Sequence, residues 1–204
     1  MNRFTQKNVS NYIQHANELI IAGKIEMAID IYLNCLVDFP FCIEAYNNIS
    51  ILLNERLQYK SSIFYIKKGI FCNPYMTELY RTLGIFLLEH GNEEEALRCF
   101  YKAIELRPDF EDAYFNLGNV FAGYAKWGRV NYLEAISCYQ KAIDINPKNI
   151  AAYSNMARLF SDFKDYISAF KLYSRSILIA PSVLESYRKI AGIYFLQGDY
   201  RKSN

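Results

Sequence analysis

The sequence predicts an all-α protein, a solenoid of stacked antiparallel helix pairs, and three observations carry that expectation. The five prolines, Pro40, Pro74, Pro108, Pro147 and Pro181, stand 34, 34, 39 and 34 residues apart. Upstream of each proline the same residue types return at the same offsets. Between them, apolar residues recur at three- and four-residue steps, which is the stripe of an amphipathic helix.

The copies align position by position. Before Pro108 come Tyr80, Leu83, Gly84, Leu87, Ala96, Phe100 and Ala103; before Pro147 come Tyr114, Leu117, Gly118, Phe121, Ala135, Tyr139 and Ala142. Before Pro181 the set is Tyr153, Met156, Ala157, Phe160, Ala169, Tyr173 and Ser176, and before Pro74 it is Tyr46, Ile49, Ser50, Leu53, Ser62, Ile66 and Gly69. The first copy is weaker, with Tyr12, His15, Ala16, Leu19, Ala28, Tyr32 and Cys35, and its His15 falls at a core-facing position. The expected repeats are 9–42, 43–76, 77–110, 111–149 and 150–183, with a partial sixth at 184–204, all in a single domain spanning 1–204.

Each repeat reads as a hairpin. Leu79, Tyr80, Leu83, Leu87 and Leu88 make one helical stripe, and Ala96, Phe100, Ala103 and Ile104 make the next. Small residues such as Gly84 and Ala96 let the two backbones approach. Gly91, like Gly23 and Gly198 at the same offset, supplies the turn, since glycine tolerates positive φ. Each proline closes the second helix because it has no N–H for the next hydrogen bond. One hairpin cannot bury both of its apolar faces, so neighbours must stack. In the fourth repeat the five extra residues are expected between its helices, in a turn that holds Trp127, the only tryptophan, flanked by Lys126 and Arg129. Trp and Arg are favoured interface anchors, so Trp127 and Arg129 are candidate partner contacts, against the alternative that Trp127 folds back over its own helices. The sixth repeat stops after one helix, which is expected to cap the fifth while Ile193, Phe195 and Leu196 leave apolar surface bare. That surface suggests self-association, and the abrupt end suggests a truncated chain.

Composition narrows the function. The formal net charge is +2 and the longest like-charge run is Glu93 to Glu95, which gives no electrostatic footprint for nucleic acid. Cys35, Cys42, Cys72, Cys99 and Cys138 show no CxxC spacing and read as small apolar residues. No window approaches the ~20 apolar residues of a membrane span, so a cytoplasmic protein without membrane contact is expected. The two histidines, His15 and His90, form no metal-ligand pattern, and the Gly123 to Gly128 spacing lacks the Lys and Ser or Thr of a phosphate loop. Glu93 to Glu95 open a helix, where carboxylates suit the positive dipole end. No catalytic group, metal or cofactor is expected.

The repeat resembles the tetratricopeptide repeat, a 34-residue unit with the pattern W-x2-L-G-x2-Y, then A-x3-F, then P. That resemblance implies a right-handed superhelical solenoid of five full repeats and a capping helix, with ligands held in a concave groove lined by the first helices. The family's ligand-contact positions carry over to Gln14, Asn48, Thr82, Asn116, Asn155 and Lys189 at the sixth residue of each repeat. At the ninth they are Asn17, Ile51, Ile85, Asn119, Arg158 and Gly192. Asn48, Asn116 and Asn155 are similar to the asparagine ladder in the repeats of O-linked N-acetylglucosamine transferases, where amides pair with the backbone of an extended peptide. Arg81, Arg158 and Arg188 fall on the same face and suit acidic side chains. The carboxylate clamp of chaperone partners is not met, because Phe115 and Glu185 stand where cations are needed. The expected function is a protein–protein interaction scaffold that binds a peptide through Asn48, Arg81, Asn116, Asn119, Asn155, Arg158 and Arg188. The alternative is the substrate-recruiting arm of a larger enzyme such as a glycosyltransferase.

Overall fold

The structure is a computed structural model that describes the backbone of residues 3–124 and 128–202 and the side chains of residues 8–124, 128 and 130–195. Among the described residues there are eleven α-helices and no strands. They fall into two compact units, Met1–Arg107 and Pro108–Asn204. The first holds α1 (Arg3–Ile21), α2 (Ile25–Asp38), α3 (Ile43–Glu55), α4 (Tyr59–Cys72), α5 (Thr77–Glu89) and α6 (Glu93–Leu106). The second holds α7 (Glu111–Tyr124), α8 (Arg129–Ile145), α9 (Ile150–Asp162), α10 (Tyr166–Ile179) and α11 (Leu184–Lys202).

Within each unit the pairing follows the sequence repeat. Helices pair as hairpins, α1 with α2 and so on, and each following first helix packs on the second helix before it. First helices of neighbouring hairpins also touch, α3 with α5 and α7 with α9. Together these contacts give the stacked hairpins that the proline spacing foretold.

The small position of the first helix proves to be a seat for the ring of the second. A β-carbon placed on Gly84 would lie 2.6 Å from Phe100 Cε1, and one on Gly118 would lie 2.6 Å from Tyr139 Cε1. Both rings are fully buried, so neither can swing away into solvent. The partner of Gly84 is therefore Phe100, one helical turn beyond the Ala96 that the sequence suggested. Tyrosine at the fourth residue of a repeat ties successive hairpins by their ends, since Tyr46 OH donates to the Pro40 carbonyl at 3.1 Å and Tyr80 OH to the Pro74 carbonyl at 3.0 Å.

The hairpin turn needs a left-handed residue. Gly23 and Gly91 supply it with φ of 73° and 76°, but Leu57 and Lys164 hold the same position at 60° and 65°. The paired bonds are the same with or without glycine: Lys24 N–H reaches the Leu19 carbonyl at 2.8 Å, and Asp165 N–H reaches that of Phe160 at 2.9 Å. Closing the turn thus outweighs the roughly 1–2 kcal/mol that a side chain costs there.

Four expectations are corrected. The fourth repeat does not enlarge its turn by five residues: α7 has 14 residues and α8 has 17, against 13 and 14 in α3 and α4, so the helices absorb most of the insertion. Helical hydrogen bonds satisfy the added backbone, which an open loop would leave to water. Gly198 is not a turn, because α11 runs through it to Lys202. Ile193 is buried against Ala157, Ala169 and Tyr173. His15 is exposed rather than in the core, as are Asn11 and Glu18 on the same face of α1. Their counterparts in the next repeat, Ala45, Ile49 and Leu52, are buried, and among the described residues no hairpin packs on that face of α1.

Two glycine substitutions separate seat from propensity. Gly118→Ala should destabilise the chain by roughly 1–3 kcal/mol in chemical denaturation because the Tyr139 ring occupies the space. Gly192→Ala, where a β-carbon meets nothing within 4 Å, should stabilise it by up to about 1 kcal/mol.

Candidate functional site

The inner positions of the first helices form two side-chain clusters, one in each unit. In the second unit, Tyr139 OH donates to Asn119 Oδ1 at 2.8 Å, and Asn155 Nδ2 donates to the same oxygen at 2.8 Å. Tyr139 rises from α8, Asn119 from α7 and Asn155 from α9, so the cluster clasps one hairpin to the next. The Asn119 amide nitrogen and the Asn155 amide oxygen meet no protein partner among the described residues. The clasp thus presents one fixed donor and one fixed acceptor on a half-buried surface.

The first unit repeats the arrangement. Tyr32 OH donates to Asn17 Oδ1 at 2.8 Å, and Asn48 Nδ2 donates to the Tyr32 hydroxyl at 3.0 Å. Here the chain of bonds runs further, with Asn47 Nδ2 at 3.5 Å from Asn48 Oδ1 and the Thr82 hydroxyl at 3.1 Å from Asn47 Oδ1. Both amide atoms of Asn48 are therefore engaged inside the protein.

The remaining candidates are placed differently. Asn116 turns its amide nitrogen to the Asp112 carbonyl one turn back, at 2.7 Å, and is half-buried. Arg158 is exposed beside the clasp and meets Asp162 at 3.4 Å. Burial pushes the hydroxyls of Tyr139 and Tyr173 up to about 12, and the Arg158 charge acts against burial at both, which sets the guanidinium near the two rings. Arg81 is half-buried on α5. Arg188 is exposed on α11 and pairs with Glu185 of its own helix at 3.6 Å. Trp127 lies outside the described residues, as does the Arg129 side chain.

The tyrosines and Asn17 are the members that a core-or-groove reading of the sequence passes over. A signal for them exists. At Tyr32 and Tyr139, two of the three tyrosines at the ring position, asparagine stands at the ninth residue of that repeat and the sixth of the next, whereas at Tyr173 those places hold Arg158 and Lys189. Where the ring position holds Ile66 or Phe100, with no hydroxyl to satisfy, the ninth residue is Ile51 or Ile85.

No group of three or more His, Cys, Asp or Glu side chains is placed to hold a metal ion among the described residues. Burial pushes the Cys35 thiol up to about 12 and those of Cys99 and Cys138 up to about 11. No described helix is long and apolar enough to cross a membrane.

Stacked hairpins with polar inner positions define a helical-repeat protein. The family model described as "TPR repeat" matches residues 87–123 and 131–161. No curated relative matches the sequence. Solved structures share the fold. PilF of Pseudomonas aeruginosa aligns at 18% identity over 99% of this chain and 96% of its own, with a TM-score of 0.73. A thermophilic tetratricopeptide protein of Thermus thermophilus aligns at 18% over 92% and 99%, with a TM-score of 0.71. YrrB, described as having an unusual peptide-binding site, aligns at 20% over 91% and 96%, with a TM-score of 0.61.

Tyr139→Phe tests the clasp. At neutral pH it should cost about 1 kcal/mol, the usual worth of one hydrogen bond. The native hydroxyl is raised to about 12 while the unfolded chain ionises near 10, so the wild-type chain loses stability as pH climbs through that window. The deficit of the variant should therefore shrink and then reverse between pH ~10 and ~12 in denaturation curves.

Proposed function

We propose that this chain is a protein–protein interaction scaffold that binds extended peptide segments along the inner positions of its first helices. The observation that carries the reading is the Tyr139–Asn119–Asn155 clasp, which leaves a donor on one amide and an acceptor on its neighbour, both immobilised by bonds of 2.8 Å. A peptide backbone offers the complementary carbonyl and N–H in every residue. Fixing the amides before binding removes much of the side-chain ordering cost that weakens polar interfaces.

Charge gives this wall a preference. Among the described residues Arg158 makes an exposed pair with Asp162 on its own helix, and such pairs contribute a few tenths of a kcal/mol. A ligand carboxylate that meets the guanidinium in bidentate fashion outbids that contact. Asn116 adds its amide oxygen one turn away on α7. Arg188 extends the basic character along α11, and Arg81 is the corresponding contact in the first unit, where the amide of Asn48 is engaged within the protein. The peptide favoured by the second unit is extended and carries an acidic residue. The same wall would recruit the substrate if the chain served a larger enzyme.

Selection from a displayed library of unstructured peptides tests this. Winners should be enriched in Asp or Glu, and their affinity should fall about tenfold in Asn119→Ala/Asn155→Ala. Winners that bind the double variant unchanged would remove the wall from the reading.

A further inference from the structure

We propose that the outer face of α4 is a docking surface for an anionic lipid bilayer, on which the chain rests without crossing it. The face belongs to a second helix, apart from the wall that the first helices build, and does not depend on peptide binding there. Folding uses the rest of α4. Ser62, Ile66 and Gly69 are buried, and a β-carbon on Gly69 would meet Tyr46 of α3 and Leu79 of α5. Within the first unit α1 and α2 precede this hairpin and α5 and α6 follow it, with α2 packed on α3 and α4 on α5. The outer face of α4 is therefore not an end of the array.

What α4 turns outward is a stripe that the repeat plan does not require. Phe64 is 52% and Phe71 86% exposed, and they stand on one line of the helix, two turns or about 10 Å apart. Exposed Lys60 and Lys67 run along one side of that line. Lys68 runs along the other, with its ammonium 4.8 Å from the centroid of the Phe64 ring. At the turn before α4, Leu57 is 87% exposed at a positive φ, where the flanking hairpins use Gly23 and Gly91. At the offsets of Phe64 and Phe71 the other repeats carry Asp30 and Val37, Arg98 and Glu105, Ser137 and Asp144, and Lys171 and Leu178. The second repeat alone places two rings there. Its charge is equally distinct: α4 has three lysines and no acidic residue, whereas α2 has three acidic residues and α6 has four. Among the described residues none of the three lysines forms an ion pair, while Glu26 of α2 and Glu94 of α6 are taken up by Arg56 and Arg98.

Charge selects the occupant. A protein partner would draw the stripe into the core of an interface, where lysine is depleted because its ammonium holds water strongly. A second copy would set lysines against lysines. An anionic bilayer meets neither obstacle. The two rings and Leu57 enter at the boundary between headgroups and acyl chains, and the lysine stems lie along that apolar surface with their ammonium groups among the anionic headgroups. The expectation of no membrane contact rested on the lack of a span, and a helix that lies on the surface needs none.

The test is co-sedimentation of the 204-residue chain with vesicles, one set of phosphatidylcholine alone and one of phosphatidylcholine with phosphatidylserine. Binding is expected to the phosphatidylserine set only, and added salt should weaken it by screening the lysines. Phe64→Ser/Phe71→Ser and Lys67→Glu/Lys68→Glu should each lower the affinity at least about tenfold. Circular dichroism and the thermal midpoint of both variants should stay those of wild type, because every substituted side chain is exposed. Lys141→Glu, at the counterpart of Lys68 on α8, should bind as wild type does. No binding to the phosphatidylserine set, or binding that either double variant leaves unchanged, would overturn the proposal. So would capture of poly-glutamate in place of vesicles, which would make an acidic polypeptide the occupant. A concentration-dependent dimer that Phe64→Ser/Phe71→Ser disperses would overturn it too, by assigning the face to a second copy. Asn119→Ala/Asn155→Ala, which removes the inner wall, should leave vesicle binding unchanged.

Discussion

Among the described residues a ring from a second helix settles on a glycine of the first, Phe100 on Gly84 and Tyr139 on Gly118. Tyr32, Ile66 and Tyr173 stand at the same offset from Ala16, Ser50 and Ala157. At the two glycines the ring stands so close that even a methyl group has no room. This steric fit sets the separation of the helices in a hairpin, and that separation fixes where the next hairpin lands. A repeat protein has no central core to correct a local error, so each unit must be right by itself and with its neighbours.

The same residue that fills the seat also decides the chemistry of the inner wall. A phenylalanine or isoleucine ends in carbon and accepts an apolar neighbour. Tyrosine brings a buried hydroxyl, whose lost hydration must be replaced by a hydrogen bond. At Tyr32 and Tyr139 the replacement comes from two asparagines on successive first helices. Those amides were readable in the sequence as groove residues, and they do sit at the groove positions. Part of their hydrogen-bonding capacity, however, holds the stack together. Asn48 is fully engaged in this way, while Asn119 and Asn155 retain one atom each for a ligand.

Period, helices and the small seats were legible because each is a local or repeated property of the chain. What was not legible depends on neighbours. The turn residues Leu57 and Lys164 look unsuited to positive φ, yet the closing hydrogen bonds of the turn hold them there. The extra residues of the fourth repeat contain two glycines and read as a loop, but most extend the flanking helices, where their backbone is satisfied. His15 occupies a core offset in the repeat and lies exposed, since among the described residues no hairpin packs on that face of α1. Gly198 occupies a turn offset and is helical, with α11 running through it to Lys202. In each case the one-dimensional pattern names the position, and the surrounding structure decides the state.

A double-mutant cycle on Gly84→Ala and Phe100→Ile tests the seat most directly. The second hairpin already pairs isoleucine with a seat that carries a β-carbon, Ile66 on Ser50. If steric fit at this pair governs the hairpin, the two substitutions should relieve one another, leaving the double variant at least about 1 kcal/mol more stable than the sum of the single effects. Free energies that add to within about 0.5 kcal/mol would contradict it, because the two positions would then act independently.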